Sequence, residues 1–342
     1  MIDLFSDTRS QPSPDMRRFM ADAEVGDEQA DLDPTVTALC ERVADLLGKE
    51  KAVYLPSGTM CNEIAYRVHC RPGDEIILDR TAHGIIAEAG GPAALALAML
   101  YPLDGERGQF SASQVEGAIR SGSRYEPRSR LISIEQTSNW GGGSVWPLEA
   151  IRAIGDVARA QGLAMHMDGA RLMNAVVKSG VEARAYADPF DSLWLDFSKG
   201  LGAPVGAVLA GSADFIHEAW RLKQQMGGAM RQAGIIAAAC LYALDHHVDR
   251  LSDDHDNAKR LARGLAEMGG IGLDPDRVET NIVFFDLAPS APTARSIAAS
   301  LLEMGIRIGA MGERRMRAVT HLNIDESAID RALSAMSEAV RI

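Results

Sequence analysis

Between residues 36 and 47 the apolar positions Val36, Leu39, Cys40, Val43, Leu46 and Leu47 recur at helical spacing. They follow Asp33-Pro34-Thr35, an aspartate cap and a proline start, so the stretch predicts an amphipathic helix. Further along, short apolar runs alternate with longer periodic ones. Residues 52–55, 75–78, 131–134, 163–167, 192–197 and 205–210 read as strands, and the helices between them start near Thr59, Ser113, Pro147 and Ser212. Ser113 with Glu116 three residues on has the form of a capping box. Strands separated by helices, and apolar rather than strictly alternating, predict an α/β fold with a mostly parallel sheet covered on both faces.

After a long helical stretch, 231–246, the pattern changes. A charged helix (250–268), a strand (281–287), a helix (294–304), a strand (318–324) and a last helix from Glu326 predict a smaller α+β unit. The expected division is an N-terminal arm (1–25), a large domain (26–248) and a small C-terminal domain (249–342). With 342 residues, 46% of them hydrophobic, both domains can bury their own cores.

A formal charge of −12 argues against a nucleic-acid or anionic-membrane partner, since either needs a basic face, and leaves a small soluble substrate as the expectation. Cys40, Cys61, Cys70 and Cys240 show neither disulfide-like nor zinc-like spacing, and no metal site is expected. The first residues carry acids where a signal peptide would carry bases, and no apolar run reaches membrane-helix length. A cytoplasmic enzyme is expected.

Two residues focus the chemistry. Asp168, in Asp168-Gly169-Ala170-Arg171, follows a strand directly, and open α/β sheets bind ligands at the carboxyl ends of their strands. It could pair with a pyridinium nitrogen, or simply cap a helix. Lys199 comes 31 residues later, about one strand-helix-strand unit, at the same sheet edge. A lysine between Ser198 and Gly200 at the end of an apolar strand is unusual, and burial is expected to lower its pKa toward a neutral, nucleophilic amine. An acid for a pyridine nitrogen and a lysine for a Schiff base are what pyridoxal 5'-phosphate (PLP) requires, together with phosphate donors and a cation for a substrate carboxylate. Ser57-Gly58-Thr59, between a strand and a helix, could expose backbone N–H groups to the phosphate, although most such turns bind nothing. Arg171 could reach a carboxylate. Arg231 could add charge for the phosphate or be a solvated arginine at a helix start. His83 could stack on a ring, move a proton, or be structural.

Taken in order, the stretches 3–8, 31–36, 56–62, His83 with Glu88-Ala89-Gly90-Gly91, 168–174, 198–206, 227–234 and 317–322 resemble the low-specificity L-threonine aldolases, nearly from end to end. The resemblance implies an aspartate-aminotransferase-like fold type I large domain with a seven-stranded-type sheet. It also implies reversible cleavage of a β-hydroxy-L-amino acid to glycine and an aldehyde. On this reading Lys199 holds PLP, Asp168 pairs with its ring nitrogen and His83 stacks on the ring. Gly58, Thr59, Arg171 and Ser198 contact the cofactor, Ser6, Arg171 and Arg317 hold the substrate carboxylate, and Ser138 is a further substrate-binding position. Arg231 would reach the phosphate of a neighbouring subunit, implying a homo-oligomer, commonly a tetramer.

Three positions depart from the family pattern. Ser138 replaces the histidine credited with contacting the substrate hydroxyl, Ala30 lies in a segment lacking the family's tyrosine, and Lys223-Gln224 stands for an Arg-Lys pair. The first two bear on the substrate's side-chain end. They keep open a different β-substituted amino acid, a lyase or racemase reaction on it, or a non-catalytic amino-acid binder. His83, or a water it orients, then becomes the expected base.

Overall fold

The computed structural model describes residues 1–340, and in it the apolar runs assemble into one seven-stranded sheet. In chain order its strands are β1 (Lys51–Leu55), β2 (Asp74–Asp79), β3 (Met99–Leu103), β4 (Arg128–Glu135), β5 (Ala164–Asp168), β6 (Ser192–Asp196) and β7 (Ala207–Gly211). Their spatial order is β1-β7-β6-β5-β4-β2-β3. Strand β7 is antiparallel to both neighbours, and every other pairing is parallel. The expected α/β class is therefore borne out. Strand β3 is an addition to the expected set, an edge strand that contains Pro102 and buries only Leu103.

Strand alternation decides which face each residue serves. Ile132, Ile134, Met165, Met167, Leu193 and Leu195 pack toward the helices Pro34–Leu47, Leu148–Gln161 and Gly234–His246. Their alternates Ser133, Glu135, His166, Asp168, Trp194 and Asp196 face the helix Gly58–His69. One side of the central strands is thus a dry core and the other carries nearly all the polar chemistry.

Local signals explain the helices. Asp33 accepts from the N–H groups of Thr35 and Val36, and Gly48 closes the helix Pro34–Leu47 at φ 64°. The helix Ala112–Ala118 corrects one expectation: its cap is Ser111 paired with Gln114, not Ser113 with Glu116. With Ser111 as the cap, buried Phe110 and Val115 flank it in the positions of a hydrophobic staple. A Ser113 cap would put Ala112 and Gly117 there instead.

The C-terminal unit is a four-stranded antiparallel sheet in the order Gly309–Ala310, Arg315–Val319, Ile282–Leu287, Ile271–Gly272. It shares a core with the helices Leu251–Ala266, Ala294–Glu303 and Glu326–Ala339. The strand expected at 318–324 runs instead over Arg315–Val319. There Met316 and Ala318 are fully buried between Arg315 and Arg317, the alternation of a half-buried strand. His321 lies beyond it, its Nε2 bonded to the Asp3 carbonyl.

The N-terminal arm joins the two units. Ile2–Asp3 pairs in parallel with Ile306–Arg307, and Ile2 and Leu4 bury in the small core. Met16, on the helix Pro14–Ala21, buries in the large one. Between them, Ser10 Oγ donates to the Lys199 carbonyl at 2.8 Å.

Candidate active site

Three neighbouring parallel strands, β4, β5 and β6, each end on a carboxylate: Glu135, Asp168 and Asp196. All three line a cavity of about 390 Å³ at the carboxyl edge of the sheet, within the range of small-ligand sites. The same cavity brings together Ser6, Gly58, Thr59, His83, Arg171, Ser198, Lys199 and Arg317, the expected site residues on this subunit. Two others lie outside it. Ser138 is buried behind Asn139, where its Oγ accepts from the Gly141 N–H at 3.2 Å. Arg231 is 63% exposed and pairs with Asp27 at 3.0 Å; the helix expected to open there begins at Gly234.

Lys199 follows β6 by three residues, and Asp196 controls the turn. Its Oδ1 accepts from both the N–H and the Oγ of Ser198, and its Oδ2 lies 2.5 Å from Lys199 Nζ. Here the expectation of a neutral amine fails. Burial does push the Lys199 pKa down, but the Asp196 carboxylate outweighs it and holds the ammonium above its ordinary value.

Across the cavity, the helix Gly58–His69 presents its N-terminus. Ser57 caps it by accepting from the Met60 N–H, and first-turn N–H groups have no partners within a helix. A Cβ on Gly58 would run into the Trp194 ring, so glycine lets the helix start lie close over the floor of the site. Such a start is suited to a phosphate.

Asp168 is buried. Its Oδ1 accepts from the Ala170 N–H at 3.0 Å and its Oδ2 from Asn62 Nδ2 at 2.9 Å. Burial pushes its pKa up, while the charge of His83 and the Asn62 bond pull it down. A carboxylate withdrawn from water in this way is best served by a cation in contact, which a protonated pyridine nitrogen supplies. The donor set therefore fits PLP: a helix start for phosphate, an acid for the ring nitrogen and an amine at the far end.

The carboxylate side is built from two arginines in different states. Arg171 gives its Nε and Nη2 to the two oxygens of buried Asp7, at 2.7 and 2.8 Å. Arg317 makes no ion pair among the described residues. Its Nη1 donates to Asn139 Oδ1, its Nη2 to the Phe5 carbonyl, and its buried Nε has no partner. Burial and the neighbouring Arg171 charge push its pKa down. An arriving carboxylate meets in Arg317 the cation that lacks a counter-ion.

Several participants escaped the sequence reading as individuals: Asp7, Asn62, Glu88, Glu135 and Asp196. Glu135 and Asp196 had a findable signal, since they end strands at the same edge as Asp168. Burial raises the Glu135 pKa to about 7, aided by the Asp168 charge. Its two oxygens nevertheless accept from the backbone N–H groups of Asn139 and His83.

The beta-eliminating lyase family model matches residues 3–289 of the chain. Low-specificity L-threonine aldolase 1 of Arabidopsis thaliana is 39% identical over 344 residues, covering 99% of this chain and 96% of that one. The chain belongs to the low-specificity L-threonine aldolase family. The Escherichia coli K12 low specificity L-threonine aldolase is likewise 39% identical, over 96% of each chain. A solved threonine aldolase of Leishmania major superposes with a TM-score of 0.84 at 19% identity, covering 99% of this chain and all of that one, which bears on the fold. The expected family, its PLP dependence and the lyase class are thus borne out. No helix among the described residues is long and apolar enough to cross a membrane.

Proposed function

We propose that this chain cleaves the Cα–Cβ bond of a β-hydroxy-L-amino acid, of the L-threonine or L-allo-threonine type, to glycine and an aldehyde, reversibly and through the residues gathered in the cavity. The observation that carries this reading is the convergence of Lys199, Asp168, His83 and the uncompensated Arg317 on one cavity. PLP bound there supplies an electron sink for the carbanion that Cα becomes.

The protein's own groups do the rest. Lys199 would hold the cofactor through its amine, which Asp196 orients from 2.5 Å away. Asp168 would keep the ring nitrogen protonated. The N–H groups of Gly58 and Thr59 would receive the phosphate, with Ser198, whose hydroxyl donates to Asp196, lining the same cavity. Arg317 anchors the substrate carboxylate from the small unit, assisted by Ser6 and by the part of Arg171 that Asp7 leaves free. Gripping the carboxylate fixes rotation about the Cα bonds, which selects the Cα–Cβ bond for cleavage. His83, bound through Nδ1 to Glu88 at 2.7 Å, offers Nε2 to the β-hydroxyl proton.

Ser138 lies outside the cavity, its Oγ accepting from the Gly141 N–H, so it brings no imidazole to the β-hydroxyl. This supports a substrate range reaching beyond threonine to bulkier or polar β-substituents. Measuring glycine release across such a panel tests both the reaction and its breadth. The exposed Arg231 supports a homo-oligomer, dimer-built and assembled as a tetramer, in which it serves a neighbour's phosphate site. The three-part division at residues 25 and 248 and a cytoplasmic setting complete the proposal.

A further inference from the structure

Behind His83 lie two buried carboxyl groups, Glu88, which holds its Nδ1, and Glu63, for which the reaction above has no use. Glu63 sits on the helix Gly58–His69 and Glu88 follows the short helix His83–Ile86. Glu88 Oε1 lies 2.7 Å from His83 Nδ1 and accepts from Asn62 Nδ2 at 2.7 Å. Glu88 Oε2 and both oxygens of Glu63 are buried with no donor among the described residues. Two carboxyl groups facing each other away from water do not both ionise, and one proton between them satisfies both. Gly91 makes room for the pair, because a Cβ there would strike the Glu63 carboxyl.

The neighbours decide which acid holds the proton. Trp194 Nε1 can only donate, and it donates to Asn62 Oδ1 at 2.7 Å. The Asn62 amide is therefore fixed with Nδ2 toward Glu88 and Asp168. Glu88 thus receives a side-chain N–H and sits against an imidazole, whereas Glu63 receives no donor at all. Burial first, and then the bond and charge of Glu88, push the Glu63 pKa up to about 9.

We infer that Glu63 carries the single proton of this pair and Glu88 the charge, so that Glu88 fixes His83 with Nδ1–H inward and leaves Nε2 to meet substrate. Glu88 and Glu63 are positioning residues, and the inference rests on His83 as the proton acceptor. The charged groups around the His83 ring are Glu88, Asp168 and Glu135, with Lys199 across the cavity. The Glu88 bond is foremost in raising the His83 pKa, against burial, so removing the Glu88 charge moves it down.

The two acids therefore respond differently to the same substitution, tested in the PLP-loaded enzyme. Glu63→Gln replaces a protonated acid with a neutral donor to Glu88 Oε2, and kcat falls by less than about threefold with the pH profile in place. Glu88→Gln removes the charge: kcat falls about tenfold, KM changes less than about twofold, and the acidic limb of kcat/KM moves to lower pH by at least about half a unit. The visible cofactor spectrum is retained in both. In cofactor-free protein, 15N NMR of labelled histidine reports Nδ1–H on His83 in the wild type and in Glu63→Gln. The reverse order of sensitivity, equal effects of the two substitutions, or an Nε2–H tautomer in the wild type would overturn the inference. His83→Asn separates the levels: unchanged turnover in that variant would overturn the reading of His83 itself, whereas a damaged His83→Asn beside two unaffected Gln variants overturns only the assignment of the pair.

Discussion

Arg171 and Arg317 look interchangeable in the sequence, but only Arg317 lacks a counter-ion among the described residues. With Asp7 on Arg171, substrate carboxylate binding falls chiefly to Arg317. Arg317→Gln should raise KM for the amino acid roughly 10- to 100-fold, the worth of a charge-assisted bond or two, with a much smaller change in kcat. Steady-state kinetics checks this split. Asp7 carries a stability prediction of its own. Burial alone would raise its pKa, but the Arg171 guanidinium beside it holds the carboxyl well below the usual range. A depressed folded-state pKa contributes stability above the unfolded value, about 4, and that contribution is lost as the pH falls below it. Asp7→Asn should therefore cost about 3 kcal/mol at neutral pH by stranding a buried guanidinium, and should weaken the acid dependence of stability. Urea melts between about pH 3 and 7 would show it. At this scale the sequence was partly legible. Lys199 and Asp168 stood out because polar residues at the ends of apolar strands are conspicuous. The Asp7–Arg171 and Glu63–Glu88 pairs did not, because each is made by packing between segments whose local patterns say nothing of one another.

Among the elements, the helix Gly58–His69 does most to shape the site, since its start lines the cavity where the phosphate is proposed to sit and its buried side carries Asn62 and Glu63. Gly58→Ala drives a methyl group into the Trp194 ring and must lift the helix start, a cost of about 1–3 kcal/mol for overpacking. The expected result is a roughly tenfold or greater loss of PLP affinity, read by titrating cofactor-free protein. Unchanged affinity would mean that the helix start does not hold the phosphate. The core strands were readable as apolar runs, and the helix Pro34–Leu47 from its cap and glycine stop. Edge strand β3 was not, being half exposed and containing a proline. Two overlapping cap patterns near Ser111 could be separated only by the buried staple of Phe110 and Val115.

For the whole molecule, the arm, sheet and small unit meet at one place: the arm brings Ser6 and Asp7, the sheet Asp168 and Lys199, and the small unit Arg317. Arg231 lies outside that place and is exposed, and its proposed work in a neighbouring subunit can be isolated by co-expressing two inactive variants. If Lys199→Ala and Arg231→Ala chains assemble together, one mixed site regains both residues and activity returns. If Arg231 serves its own subunit, no site is whole and none returns.

The most direct measurement is of both products at once. Purified enzyme with PLP and a β-hydroxy-L-amino acid should release glycine and the matching aldehyde in equal amounts, for threonine or for a bulkier member of a panel. Formation of a keto acid and ammonia instead, or of no product from any β-hydroxy amino acid, would contradict the assignment of Cα–Cβ cleavage to this site.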